Sequence, residues 1–215
     1  MNKQMQKQLW LNLHLSFIIA YTIYIITRII RLPLLKSLPR QLFSILLIVA
    51  YGLTLDISAM VRNWSNVLTS RNFHCMLLFA TFPQRFVFFP FYLSSILNVL
   101  DEVVRNKKIY KNSWFYDFSI KALAYQNQMC DGVYFSEICM IPVLFIALII
   151  GKINIIGFIA FIQFIRLEYF INGEMRRAFG KLRNYLDNIC RKLPGDLNRG
   201  YAYARDYIIK YHKID

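Results

Sequence analysis

Residues 137–151 read EICMIPVLFIALIIG, and residues 153–165 read INIIGFIAFIQFI. The two runs contain a single charged side chain, that of Glu137, and they are separated by Gly151-Lys152. Apolar runs of this kind are expected in a lipid bilayer, because a soluble domain seldom carries them in addition to its core. The sequence therefore predicts a helical hairpin that is inserted in a membrane.

A basic amphipathic segment follows the hairpin. From Gly173 to Leu193 the apolar residues recur every three or four positions, so they share one helical face. Pro194-Gly195 predicts the end of this helix. An apolar stripe beside many basic residues is typical of a helix that lies on an anionic membrane, although packing on the protein's own cytosolic loops would also use such a stripe. The predicted membrane-surface residues are Met175, Arg176, Arg177, Phe179, Lys181, Leu182, Arg183, Leu186, Ile189, Arg191 and Lys192.

Composition supports the membrane interpretation. The chain has 215 residues, of which 57% are hydrophobic, and a net charge of +14. Such a charge favours nucleic acid or an anionic membrane surface as the partner, and the hydropathy favours the membrane. The four cysteines form no C-x-x-C pair. Neither a disulfide framework nor a zinc site is predicted from them, and no cofactor is expected.

Gaps between charges divide the chain into apolar segments. The 15 residues between Arg40 and Asp56 form a helix of only ~22 Å, which is shorter than a ~30 Å hydrocarbon core. Short segments cross by thinning the bilayer, or they enter it as hairpins.

The predicted fold is all-α, a multi-span integral membrane protein with short helical hairpins and a cytosolic basic amphipathic C-terminal helix. We assign a transmembrane domain to 1–171 and a tail to 172–215. The apolar segments are about 8–27, 41–60, 72–100, 132–150 and 153–170.

The distribution of Lys and Arg predicts an orientation. Residues 28–40, residues 101–131 and the tail are rich in basic side chains, whereas residues 56–72 contain only Arg62 and Arg71. The positive-inside rule places the basic regions in the cytosol and 56–72 on the opposite side. This gives five crossings with the N-terminus outside; Lys3 and Lys7 oppose that placement, so the side of the N-terminus stays open.

Charged side chains inside the apolar segments are candidates for function. The two candidates are Arg85, which also suits a turn at the interface, and Glu137, which also suits a snorkelling or capping role. No catalytic signature accompanies them: His74 opens no H-x-x-x-x-D motif, and the sequence has no G-x-S-x-G, P-loop or metal-ligand pattern. The sequence therefore predicts no catalytic, cofactor-binding or metal-binding residue and no enzyme.

Several short motifs carry a family resemblance. They are Phe88-Phe89-Pro90; Ala124, Gln126 and Asn127; Glu137-Ile138 with Met140 and Pro142; Phe164, Leu167 and Tyr169; and Arg177, Phe179, Leu182 and Arg183. In these residues, and in the order of its apolar segments, the chain resembles the transmembrane protein 33 family, which includes fungal pore-membrane proteins associated with nuclear pores and the tubular endoplasmic reticulum. Gln163 and Glu168 depart from the basic residues found in relatives, so contacts at those two positions are not carried over.

The resemblance implies a non-enzymatic, multi-pass protein of the endoplasmic reticulum membrane and nuclear envelope. Such a protein stabilises curved membrane and supports nuclear pore complex assembly or distribution. The implied partners are an anionic, curved lipid bilayer, reticulon-type proteins, nucleoporins and a nuclear transport receptor, with no nucleic acid. The residues alone point the same way, since short helices and an amphipathic tail both expand one leaflet. The alternatives are a small-molecule or ion transporter or channel, and then a membrane enzyme of lipid metabolism.

Overall fold

A computed structural model describes residues 3–30, 40–55, 70–81, 87–111, 113–192 and 194–212. Within these residues 89% are helical and none lies in a strand. The predicted all-α class is therefore confirmed. The chain divides into two compact units, Met1–Met175 and Arg176–Asp215.

Ten helices lie within the described residues. In chain order they are α1 (Lys3–Ile29), α2 (Arg40–Leu53), α3 (Arg71–Thr81), α4 (Phe88–Arg105), α5 (Lys107–Tyr110), α6 (Trp114–Leu123), α7 (Gln126–Ile149), α8 (Ile155–Ile171), α9 (Gly173–Cys190) and α10 (Gly195–His212). The predicted segment 72–100 is thus two helices, α3 and α4.

Two of the described helices, Gln4–Ile29 and Gln126–Ile149, are long and apolar enough to cross a membrane. The number rises to three if Ile155–Ile171 and Gly173–Cys190 together form one broken span. The helix Gln41–Leu53 is apolar but shorter. Length and composition therefore support a membrane protein with two to three candidate spans in the part of the chain that the structure describes.

Helices α1 and α2 run antiparallel. The Gln6 side-chain amide donates a hydrogen bond to the Leu53 carbonyl, which joins the start of α1 to the end of α2. At the other end, the Tyr24 ring lies 5.9 Å from the Phe43 ring, between centroids. The two helices therefore form the first hairpin of the unit.

Helices α3 and α4 approach each other where one follows the other: the Phe79 ring of the last α3 turn lies 4.6 Å from Phe91, which is near the start of α4. Helices α7 and α8 form the second hairpin of the unit. In α7 and α8, the Asn172 amide that follows α8 donates a 2.8 Å hydrogen bond to the Tyr134 hydroxyl. The Phe145 and Phe158 rings lie 6.1 Å apart toward the other end of that pair. The first unit thus contains two antiparallel hairpins, α1–α2 and α7–α8, and α3 packs against α2 and α8.

One ion pair does not agree with the five-crossing arrangement. Lys7 Nζ lies 2.7 Å from Glu102 Oε1, so the start of α1 and the end of α4 lie at the same end of the unit. The five-crossing arrangement had placed the N-terminus opposite residues 101–131. Arg71, which the count of basic residues assigned to the loop 56–72, begins a helix and points into the unit.

Aromatic rings fill the interior where the pairs meet. Phe79 and Phe88 lie 5.6 Å apart, and Phe91 and Phe164 lie 5.7 Å apart, all between ring centroids. Edge-to-face and tilted aromatic pairs of this kind contribute roughly 0.5–1.5 kcal/mol each beyond their buried area. The fully buried phenylalanines are Phe17, Phe43, Phe79, Phe88, Phe91, Phe161 and Phe164.

Candidate functional site

A buried cluster of three charged side chains lies inside the first unit. Arg71 Nη2 lies 3.0 Å from Glu137 Oε1, and Arg71 Nε lies 3.3 Å from Glu168 Oε1. The Glu137 side chain is 0% exposed and that of Glu168 is 2% exposed. We call these three residues the ionic cluster.

Three helices supply the ionic cluster. Arg71 is the first residue of α3, Glu137 lies midway along α7, and Glu168 lies in the last turn of α8. Their charges meet because the start of α3 lies beside the end of α8. The cluster therefore fixes α3 against the α7–α8 pair.

The sequence had identified part of this cluster. Glu137 was predicted as an intramembrane polar residue, and the structure gives it an internal cation rather than a snorkelling position. The other candidate, Arg85, lies outside the described residues. Arg71 and Glu168 were missed as members of a site. The available signal for Glu168 was an acidic residue within an apolar segment, the same criterion that identified Glu137.

A second layer of contacts surrounds Arg71. Its guanidinium carbon lies 5.7 Å from the centroid of the Tyr134 ring, a cation–π distance. The Tyr134 hydroxyl accepts the hydrogen bond from Asn172, whose side-chain oxygen accepts one of 3.0 Å from the Glu174 backbone N–H. The same chain of contacts therefore joins the ionic cluster to the first turn of α9.

The ionic cluster holds three helices together through buried charges. One guanidinium faces two carboxyl groups, and the Oε2 atoms of Glu137 and Glu168 have no hydrogen-bond partner among the described residues. Removing one member of a buried ion pair leaves an uncompensated charge and costs roughly 3–5 kcal/mol. In the described part of the chain no group of three or more His, Cys, Asp and Glu side chains could hold a metal.

A cavity of about 240 Å³ lies between α4 and α7. Its lining residues are Leu93, Ile96, Leu97, Met129, Gly132 and Val133. Sites for small molecules usually add a few polar groups that orient the ligand. This lining has no polar side chain, so the cavity offers nothing to orient a polar substrate.

The amphipathic surface of α9 is the second candidate site. Leu186 is 39% exposed and Ile189 is 40% exposed, whereas Phe179 and Leu182 are half-buried. Met175 is fully buried and belongs to the first unit, so it does not share this surface. The predicted basic residues are all exposed: Arg176, Arg177, Lys181, Arg183, Arg191 and Lys192.

Helix α10 contacts the flank of α9. The Tyr201 hydroxyl donates a 2.8 Å hydrogen bond to Asp187 Oδ1, and Arg205 Nη1 lies 3.3 Å from the same oxygen. The hydrogen bond from Tyr201, helped by Arg205, lowers the pKa of the Asp187 carboxyl. Asp187 follows Leu186, so it projects about 100° around the helix from that residue. This contact leaves Leu186 and Ile189 exposed.

Comparison with known proteins decides the family. Residues 2–213 match the family described as Transmembrane protein 33/Nucleoporin POM33. The chain belongs to this family. The family resemblance of the short motifs is therefore confirmed. The match covers both units of the chain. The family is not known as an enzyme family. No curated protein and no solved structure matches the chain.

Proposed function

We propose that this protein stabilises curved membrane of the endoplasmic reticulum and nuclear envelope and thereby supports nuclear pore complex assembly or distribution, without catalysing a reaction. The observation that carries the proposal is the surface of α9, where exposed Leu186 and Ile189 lie beside six exposed basic residues, four on the helix and two in the turn that follows it. Membership of a family described as a nucleoporin supplies the cellular context.

The surface of α9 suits insertion into one leaflet. Leu186, Ile189 and the half-buried Phe179 enter between lipid headgroups, and the flanking Lys and Arg bind anionic lipid. Each basic residue near such a surface contributes about 1 kcal/mol, which salt screens. Packing defects in a curved leaflet expose acyl chains, so bulky apolar side chains bind there more readily. The helix therefore favours curved membrane in the leaflet that it enters.

The unequal helix pairs of the first unit add to this effect. Helix α1 has 27 residues but its partner α2 has 14, and α3 has 11 while α8, against which it packs, has 17. At about 1.5 Å per residue, α3 is only ~16 Å long. Both short helices reach the end of the unit near Lys7, so they add cross-section at that end. Extra volume in one leaflet favours positive curvature on that side.

The test in cells uses two variants with the same change in charge. Phe179→Asp with Leu186→Asp places two carboxylates on the apolar surface of α9. Asn184→Asp with Asn188→Asp places two carboxylates on exposed positions of other faces of the same helix. We expect the first variant to lose enrichment at the nuclear rim and on tubules, and pores labelled on a scaffold nucleoporin to cluster. The control should keep the parental distribution.

Two outcomes would overturn the proposal. If the Phe179/Leu186 variant localises and distributes pores like the parent, the surface of α9 is not the membrane-shaping element. If both variants lose localisation equally, the effect comes from net charge rather than from apolar insertion. Expression level and membrane insertion of both variants are measured in parallel by sedimentation with carbonate-washed membranes.

The alternative function, a transporter or channel, can be tested at the ionic cluster. Ionisable side chains inside a membrane domain often mark ion or proton paths. A transport function would require flux through proteoliposomes that Glu137→Gln or Glu168→Gln abolishes. We expect no flux above protein-free vesicles with the parent chain, because the described cluster pairs its charges inside the unit.

A further inference from the structure

Helix α6 carries apolar side chains on two different faces. One face is buried: Tyr116 is 8% exposed and packs with Leu11 of α1 and with Val99 and Val103 of α4. Ser119 lies on the same face and is fully buried. The Ser113 hydroxyl oxygen accepts a 3.2 Å hydrogen bond from the Phe115 N–H and caps the start of the helix. The helix is therefore held firmly against the first unit.

Its other face presents aromatic rings to the surroundings. Trp114 is 78% exposed and Phe118, one turn later, is 52% exposed. Their ring centroids lie 6.4 Å apart, and the half-buried Phe115 ring stacks on Phe118 at 6.3 Å. Large aromatic side chains in such a row seldom stay in water, since each exposes a wide apolar surface. Phe115 also packs against the buried core, so we call Trp114 and Phe118 the aromatic row.

The contacts of α6 place the aromatic row near the edge of the membrane. Leu11, which packs on Tyr116, lies one turn after Lys7 in α1, and Lys7 pairs with Glu102 at the end of α4. This pair marks the level at which both helices change from apolar to charged. Helix α7, a candidate span, begins at Gln126, only three residues after α6 ends. The aromatic row therefore lies at the depth of the lipid headgroups.

The surroundings of the row are basic. Lys107, Lys111 and Lys121 are exposed on α6 or on the segment just before it. Tryptophan is enriched at the membrane–water interface, where its ring has both apolar surface and an N–H donor. Lysines around such a row attract anionic headgroups. Lipid, rather than another protein, fits this combination of depth, aromatic chemistry and positive charge.

We propose that α6 is a second membrane-surface contact, in which Trp114 and Phe118 enter the headgroup region of the bilayer that holds the first unit while Lys107, Lys111 and Lys121 bind anionic lipid. The contact belongs to the first unit and does not depend on the surface of α9. Because α6 packs directly on α1 and α4, it couples the tilt of those helices to the membrane surface.

Tryptophan fluorescence tests this contact in the full chain. Trp10→Phe with Trp64→Phe leaves Trp114 as the single tryptophan. The protein is reconstituted in vesicles that contain lipids brominated near the top of the acyl chains. We expect blue-shifted emission, strong quenching by these lipids and weak quenching by aqueous iodide. Emission at the wavelength of a hydrated indole, quenched by iodide and not by bromolipid, would overturn the proposal.

A second measurement does not require the tryptophan replacements. A nitroxide label is attached at Phe118→Cys in a chain whose four native cysteines are replaced by alanine. Collisions with oxygen should exceed those with a water-soluble nickel chelate. The matched control is Asp117→Cys, which is exposed and projects about 100° away on the same helix. Equal accessibility at 117 and 118 would contradict a membrane-facing aromatic row.

The role of the lysines is tested by lipid composition. Bromolipid quenching of Trp114 should rise when anionic lipid is added to zwitterionic vesicles, and Lys107→Gln, Lys111→Gln and Lys121→Gln together should remove that rise. Phe179→Asp with Leu186→Asp should leave the Trp114 signal unchanged, so failure of this contact and failure of the proposed function are distinguishable. A lysine-independent response to anionic lipid would refute the headgroup contact.

Discussion

The two units of the chain use charge in opposite ways. In the first unit, Arg71 faces Glu137 and Glu168 in the interior, where both carboxylates are almost fully buried. In the second, the basic residues of α9 are exposed and its acidic Asp187 is bonded to Tyr201 of α10. The net charge of +14 therefore combines two settings: charge is paired in the interior of the first unit and exposed on α9 in the second.

The same difference limits what a count of loop charges can report. Counting Lys and Arg in loops assumes that each charge reports on the side of the membrane that its loop occupies. Arg71 does not, because it is part of the ionic cluster at the start of α3. The Lys7–Glu102 pair, which joins residues far apart in the sequence, is the contact that reveals the arrangement.

Side-specific labelling gives the largest expected effect, because labelling is all or none. Single cysteines are placed at Gln8, Lys111 and Lys152, all exposed, in a background without the native four. In sealed microsomes, a membrane-impermeant thiol reagent should label 8 and 111 from the same side and should not label 152 from that side. Labelling of 8 and 111 from opposite sides would restore the five-crossing arrangement.

Loss of the buried cation tests whether paired charge stabilises the first unit. Arg71→Met leaves two carboxylates buried without their cation, so the free energy of unfolding should fall by roughly 3–5 kcal/mol. The measurement is denaturant unfolding of the purified chain in mild detergent.

Two controls accompany this experiment. Arg105→Met removes an exposed cation that pairs with Asp101 at 2.8 Å on the surface of α4, and should cost only about 0–1 kcal/mol. Changing Arg71, Glu137 and Glu168 together to methionine removes every charge of the cluster and should recover most of the loss. If Arg71→Met and Arg105→Met lower the free energy of unfolding equally, the ionic cluster does not hold the helices together.

The pH dependence of the α9–α10 contact gives the smallest effect. Since folding lowers the pKa of Asp187, its contribution is present above the ordinary carboxyl pKa of about 3.9 and is lost as the pH falls through the lower folded value. The distribution of distances between spin labels at positions 184 and 203 should therefore stay narrow from pH 7 to 5 and broaden in stronger acid. Asp187→Asn should broaden it at neutral pH; an unchanged distribution would contradict this role for Asp187.

Local patterns in the sequence predicted much of the fold. Apolar residues spaced by three or four positions predicted helix α9. The pair Gly151-Lys152 predicted the break between α7 and α8. Periodicity and charge gaps report on contacts between near neighbours along the chain, which is why they succeed for single helices.

Contacts between distant residues could not be predicted in this way. Arg71 and Glu137 are 66 positions apart, and no spacing rule indicates which basic residue turns inward. The exposed position of Trp114 and the burial of Met175 likewise depend on how helices pack. Sequence alone therefore identified Glu137 as unusual but could not supply its partner.

The most direct test of the central claim is sorting of the purified full chain between a giant vesicle and a narrow tube pulled from it. We expect the parent to be enriched on the tube relative to a lipid dye and Asn184→Asp with Asn188→Asp to be enriched equally. Phe179→Asp with Leu186→Asp should lose most of this enrichment and keep only the part due to the helix pairs. Equal enrichment of all three proteins would contradict the claim that the surface of α9 senses membrane curvature.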